Sequence, residues 1–356
     1  MTHYVGLTWD HPRGREALEK ASGDIGGGHT IRWEVQSLEG FESAPIDDNC
    51  AKYDLVVLDH PHLGDALASD SIRPLSDVFT TEDIAAWQAG AVGPTIDSYT
   101  MNGSLWALPL DAATQVSVRR VSRVPTAPTS WDQLPERTAL SLAGPHAFLT
   151  LCSIAVGLGS DPFATGSFGE AGIEALEIMQ RINDNAPTGT DSLNPIGLLD
   201  RMRDAEDIDY IPLVYGYVNY SSPELHFGAP PAPGSTIGGT GIAISRRAEI
   251  TPELTQHLRW LLTPETQSGF IPQHSGQPGL RSAWQDPAVD EAAHGFYSGT
   301  LDTIEHSWVR PRFAGYIPFQ QQASAIVRAA LAGSFSHTEA LEHIDAAYRH
   351  TVQEAA

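Results

Sequence analysis

The chain has 356 residues, 41% of them hydrophobic, and its 44 Asp and Glu outnumber its 21 Lys and Arg to give a formal net charge of −23. That length exceeds the size at which a single hydrophobic core stops growing and predicts two domains. The charge argues against nucleic acid or anionic lipid as partners, and no apolar run approaches the roughly 20 residues of a membrane helix, so no membrane insertion is expected.

Tyr4-Val-Gly-Leu-Thr8 reads as a buried strand, and the spacing from Arg15 to Ala21 predicts a helix after a turn at Pro12 and Gly14. Ile31 to Val35 and Tyr53 to Leu58 read as further strands, the latter ending at Asp59-His60-Pro61. This alternation predicts an α/β fold with a mainly parallel sheet, whose ligands sit beyond the carboxyl ends of its strands. Two loops occupy that edge: Trp9 to Gly14, and Asp59 to His62. No basic and apolar leader of the secretory type precedes Tyr4. The expectation is a cytoplasmic protein as the chain stands, or a periplasmic or extracellular one if a leader has been removed.

Leu105 to Val118 predicts a strand that continues past Pro109, and Ser130 before Trp131 and Asp132 fits a helix start. Ala147 to Leu158 is nearly all apolar, as a buried helix is, and Ala171 to Ile182 carries the spacing of an amphipathic one. A strand-like run from Ile208 to Val218 precedes a Ser, Pro and Gly-rich stretch ending at Gly234. Ile242 to Ser245 then leads into a helix from Pro252 to Leu262, and helices Pro318 to Leu331 and Thr338 to His350 close the chain. Cys50 and Cys152 read as unpaired thiols.

Several segments, in this order, resemble the marker segments of extracellular solute-binding proteins of ABC importers, of the carbohydrate type. They are Ile72-Arg-Pro-Leu-Ser-Asp77, Tyr99-Thr-Met-Asn-Gly-Ser-Leu-Trp-Ala-Leu-Pro109, Pro128-Thr-Ser-Trp-Asp-Gln-Leu134 and Gly238-Gly-Thr-Gly-Ile-Ala-Ile-Ser245. Thr263-Pro-Glu-Thr-Gln267, Gly276-Gln-Pro-Gly279 and Ala332 to Leu341 extend the likeness over most of the chain. The resemblance implies a type II periplasmic-binding-protein fold with two lobes, three hinge crossings and a ligand cleft between the lobes. The expected lobes are residues 1–110 with 243–309, and 111–242 with 310–356. It also implies binding of a sugar-like or carboxylated solute with hinge closure, by a monomer serving the membrane subunits of an ABC transporter, with neither cofactor nor metal.

Ligand contacts carried over by position are Trp9, Asp10, His11, Arg13, Asp59, His60, Asp111, His146, Tyr215, Tyr217, Gly239, Thr240, Arg310 and Arg312. Plain structural roles stand beside these. Asp10 or His11 could cap a helix, Asp111 could cap a hinge turn, the tyrosines could be half-buried strand residues, and Gly239 could serve only to allow a positive φ. A cation at a helix N-terminus, as Arg13 would be, is favourable only with an anion close by, either Asp10, Asp59 or a ligand. With Arg310 and Arg312 it marks an acidic solute as an option beside a neutral sugar. The alternative class is a cytoplasmic enzyme of lyase, isomerase or dehydratase type, or a metabolite sensor, on the same fold. His11, His60 and Asp111 would then be its acid and base.

Overall fold

The computed structural model describes residues 1–355 of the chain and divides them into two units. Unit 1 comprises Met1–Ala113, Gly238–Ala292 and Arg312–Tyr316. Unit 2 comprises Thr114–Ile237, Ala293–Pro311 and the chain from Ile317 onwards. Residues 293–309 thus belong to unit 2, although the sequence reading continued unit 1 to residue 309. Phe296 and Tyr297 are the reason: the Phe296 ring packs on Phe227 at 5.1 Å, and both aromatics are buried.

Unit 1 is built on strands β1 (His3–Trp9), β2 (Gly23–Gly26), β3 (His29–Gln36) and β4 (Leu55–Leu58). A short hairpin, β5 (Thr100–Met101) and β6 (Ser104–Leu105), precedes the long strand β7 (Ala107–Arg120). The hairpin turns at Asn102 and Gly103, both at positive φ, the requirement of a tight two-residue β-turn. Strand β1 pairs in parallel with β3 and β4, as the alternating pattern predicted. All four residues of β4 are buried, as a strand covered on both faces must be. Strand β10 (Ile237–Ile244) lies antiparallel to β4, with Gly241 opposite Leu58, and next to β7.

Unit 2 receives the second half of β7, which pairs antiparallel with β8 (Tyr210–Tyr215) and β9 (Leu225–Gly228). The parallel ladders among the described residues lie in unit 1; the ladders of unit 2 are antiparallel, with parallel pairing there confined to the single bridges Thr138–Tyr210 and Thr236–Trp308. The helix His146–Gly157 is buried along most of its length, and the amphipathic helix Gly169–Asn185 turns Leu176, Met179 and Ile182 inward. The helix expected from Ser130 does not form: Ser130 to Asp132 make a turn. Pro135 explains this, because its ring would clash with the carbonyl four residues back and it has no N–H to continue a helical ladder. Two further helices, Tyr316–Leu331 and His337–Ala355, complete the chain.

Backbone crowding at two glycines holds these layers together. A Cβ at Gly157 would stand 1.8 Å from the Pro233 carbonyl oxygen, and one at Gly64 would stand 2.2 Å from the Phe313 carbonyl carbon. Neither neighbour is a side chain that could swing away. Gly157→Ala and Gly64→Ala should each destabilise the fold by about 3 kcal/mol or more, as overpacking against fixed backbone does, read as a lower denaturant midpoint; an unchanged midpoint would refute the close approach.

Candidate functional site

Strand β1 ends at Trp9, and its carboxyl edge is shaped by the helix Pro12–Ala21 that follows. Pro12 sits at the first helical position, where a missing N–H does no harm, so the helix starts three residues before the spacing suggested. His11 is the N-cap, its Nδ1 accepting from Arg13 N–H at 3.2 Å. The His11 ring lies flat against the Trp9 indole, with centroids 5.3 Å apart and planes 8° apart. Burial, reinforced by the Arg13 charge, pushes the His11 imidazole down to about 4 and keeps it neutral at physiological pH. Asp10 is exposed and faces Arg15 at 3.3 Å.

Arg13 does have an anion beside it, and that anion is Asp111. Its Nε donates to Oδ2 at 2.7 Å and its Nη2 to Oδ1 at 2.5 Å, a bidentate pair buried on both sides. Asp111 lies in the unit 1 half of β7. Burial pushes its carboxyl up from the ordinary value, against the pull of the Arg13 guanidinium and of the Thr240 N–H. The Thr240 amide, expected to face a ligand, is thus bonded to Asp111. Gly239 has φ +98° and stands where a Cβ would be 2.5 Å from the Asp111 carbonyl oxygen, so close strand approach accounts for the glycine.

Asp59 caps the short turn His60–His62 by accepting from His60 N–H at 2.9 Å, and stands 3.1 Å from His60 Nδ1. The fully buried His60 ring meets Tyr99 edge-on, and Tyr99 Oη donates to the Leu58 carbonyl at 3.2 Å. Arg312 donates through Nη1 to three carbonyls, of Asp97, Ser98 and Thr100, closing the end of the helix Thr95–Ser98. Two buried amides that sequence reasoning passed over support the same strand. Gln277 Nε2 donates to Ala112 O at 2.6 Å, and Gln267 Oε1 accepts from Gly279 N–H at 2.7 Å. Their signals were the segments Thr263-Pro-Glu-Thr-Gln267 and Gly276-Gln-Pro-Gly279, which hold one each.

In unit 2, His146 opens the helix His146–Gly157 and meets the Tyr215 ring at 5.9 Å and 71°. Tyr215 ends β8, and its Oη donates to Ile237 O at 3.4 Å. Arg310, 2% exposed, donates to the same carbonyl at 3.4 Å and to Gln320 Oε1 at 3.2 Å. Tyr217 is buried and packs edge-on against Tyr220. Beside them runs a hydroxyl network that sequence reasoning also missed. Thr114 Oγ1 lies 2.5 Å from both Ser235 and Ser307, while Ser153 Oγ donates to Gln115 Oε1 at 2.5 Å and lies 2.7 Å from Thr236 Oγ1. Cys50 and Cys152 are both buried and free, their thiols pushed up by burial and held unreactive. Among the described residues, no group of three or more His, Cys, Asp and Glu is placed to hold a metal ion.

Two outcomes follow. Asp111→Ala, which takes the bidentate carboxylate away from the buried Arg13 guanidinium, should destabilise the protein by roughly 3–5 kcal/mol, and Arg13→Met with Asp111→Leu should recover most of that loss in denaturant titration. His11 and His257, both pushed down to about 4 by burial, bind fewer protons folded than unfolded between about pH 4 and 6.5. Their contribution is complete above pH 6.5 and is lost as the pH falls towards 4, on the order of 3 kcal/mol each. His11→Gln should therefore flatten the slope of stability against pH in that window; an unchanged slope would show that His11 is not held neutral.

Neither family models nor curated proteins match the sequence of this chain. Solved structures do match its fold. Maltose-bound MalE3 of T. maritima superposes with a TM-score of 0.79 at 16% identity, over 97% of this chain and 98% of that one. An ABC transporter solute-binding protein of Agrobacterium radiobacter in complex with ribitol gives 0.78 at 20% identity, over 97% of each. The GacH receptor of Streptomyces glaucescens, solved unliganded and with acarbose, gives 0.80 at 13% identity over the whole of both chains. The chain therefore has the type II periplasmic-binding-protein fold, that of the carbohydrate-type solute-binding proteins.

Proposed function

We propose that the protein binds a neutral, hydroxyl-rich solute, a sugar or a polyol, and releases it unchanged as the solute-binding component of an ABC-type importer. The observation that carries this reading is the state of the three arginines that had suggested an acidic solute. Arg13 is paired with Asp111, Arg310 with Gln320 and the Ile237 carbonyl, and Arg312 with three carbonyls. Each cation already has protein oxygens around it, so a carboxylated ligand would have to displace them. Within unit 2, the rings of His146, Tyr215 and Tyr217, flat surfaces with polar tips, suit the C–H faces and hydroxyls of a sugar. The structural neighbours bound to maltose, ribitol and acarbose support the same class.

The enzyme alternative draws little support from its nominated residues. His11 is held neutral as a helix cap, and both oxygens of Asp111 are bonded to Arg13. A monomer working outside the cytoplasmic membrane with transporter subunits is the corresponding cellular reading, and no helix among the described residues is long and apolar enough to cross a membrane.

A thermal-shift panel of neutral sugars, polyols and the matching sugar acids tests the proposal. At 100 times its dissociation constant a cognate solute should stabilise the protein by about 2.7 kcal/mol, and mass spectrometry should recover it unchanged. Tyr215→Ala should weaken binding about tenfold or more, as loss of a stacking ring does. A sugar acid that outperforms its neutral counterpart would overturn the neutral-solute reading, and a converted solute would overturn the receptor.

A further inference from the structure

Away from these residues, unit 2 carries a hollow of about 610 Å³ between the irregular segment 131–138 and the end of the helix Gly169–Asn185. Its volume falls within the roughly 300–1,000 Å³ of small-molecule sites. Trp131, Leu134, Pro135 and Ile182 are its apolar lining residues, and charged and amide side chains line it as well.

Several of those polar groups are held in place. Arg137 Nε donates to Asp209 at 2.9 Å and its Nη1 to the Glu206 carbonyl at 3.3 Å. Arg181 Nη2 donates to the Trp131 carbonyl at 3.1 Å, its Nη1 lies 3.4 Å from Asp132, and Asn185 Nδ2 donates to the Arg181 carbonyl at 2.8 Å. Side chains fixed in this way lose little freedom when a ligand arrives. The lining charges balance, Asp132 and Glu136 against Arg137 and Arg181. The Trp131 indole N–H and the Glu136 carboxylate remain open to a partner, since neither bonds to a described protein group.

An indole beside a ring of fixed, charge-balanced planar donors and acceptors is the chemistry that recognises a pyranose: C–H groups on the aromatic surface, hydroxyls on the planar side chains. We infer that this hollow is a second solute site, which takes a neutral sugar ring against Trp131 with hydroxyls on Glu136, Arg137, Arg181 and Asn185. It is separate from the residues proposed above for the principal site and does not depend on their assignment.

Fluorine NMR of the full chain carrying fluorotryptophan tests this, with maltotetraose as the probe and tetragalacturonate as its anionic counterpart. The Trp131 resonance, assigned by its loss in Trp131→Phe, should move saturably with maltotetraose and not with tetragalacturonate. The same shift should persist with unchanged affinity in Tyr215→Ala, which weakens binding at the principal site, so the two readings fail separately. Glu136→Ala and Asn185→Ala each remove the hydrogen bonding of one side chain and should weaken the titration roughly fivefold. Both residues are exposed, and equilibrium dialysis of these variants in the Tyr215→Ala background keeps the test open if Trp131→Phe does not fold. A Trp131 resonance that stays still up to the solubility of maltotetraose, a stronger response to tetragalacturonate, or affinities unchanged in both variants would overturn the inference.

Discussion

Strand β10 can lie where it does because position 239 carries no side chain: a Cβ there would meet the Asp111 carbonyl oxygen at 2.5 Å and the Ala112 Cα at 3.0 Å. That approach brings the Thr240 N–H onto the Asp111 carboxylate. With two more donors from Arg13, the carboxylate is buried yet satisfied, the condition under which a charge can leave water at all. Gln277 on the Ala112 carbonyl and Gln267 on the Gly279 amide then fix the neighbouring loop to the same stretch of β7. Strand pairing, ion pair and loop are one arrangement, and the position of the Pro12–Ala21 helix depends on it through Arg13.

A buried ion pair adds little net stability, because desolvation offsets most of the attraction; its consequence is specificity of arrangement. Here that specificity also has a chemical side. Arg13 and Arg312 are oriented towards groups of their own unit, as is Arg310 in unit 2, and each meets oxygen acceptors there. A charged ligand group approaching any of the three would meet a guanidinium that already has oxygen acceptors around it.

Unit 2 reaches a similar end by a different route. Where β7 enters it, Thr114 and Gln115 join Ser153, Ser235, Thr236 and Ser307 in a buried hydroxyl and amide network. Hydroxyls can donate and accept at once, so such a network satisfies itself without charge. The Ile237 carbonyl, shared by Tyr215 and Arg310, ties β8 and the segment before Pro311 to this point.

Periodicity in the chain determined a good deal. The four apolar residues of β4, the alternation of strand and helix from Tyr4 to Leu58 and the 3.6-residue spacing of the helix Gly169–Asn185 all announce themselves locally, because burial of one face or of a whole strand leaves a repeating mark. The order of the marker segments carried the fold class with them. Partner choice left no such mark. Arg13 and Asp111 are 98 positions apart, and the sequence offered each as a ligand contact; Ser130 carried a helix-start signal that Pro135 cancelled. The hydroxyls of Thr114, Ser235 and Ser307 resemble any others in the chain. Local spacing records which face of an element is buried, but the pairing of charges and hydroxyls depends on which elements meet, and only the tertiary structure decided that.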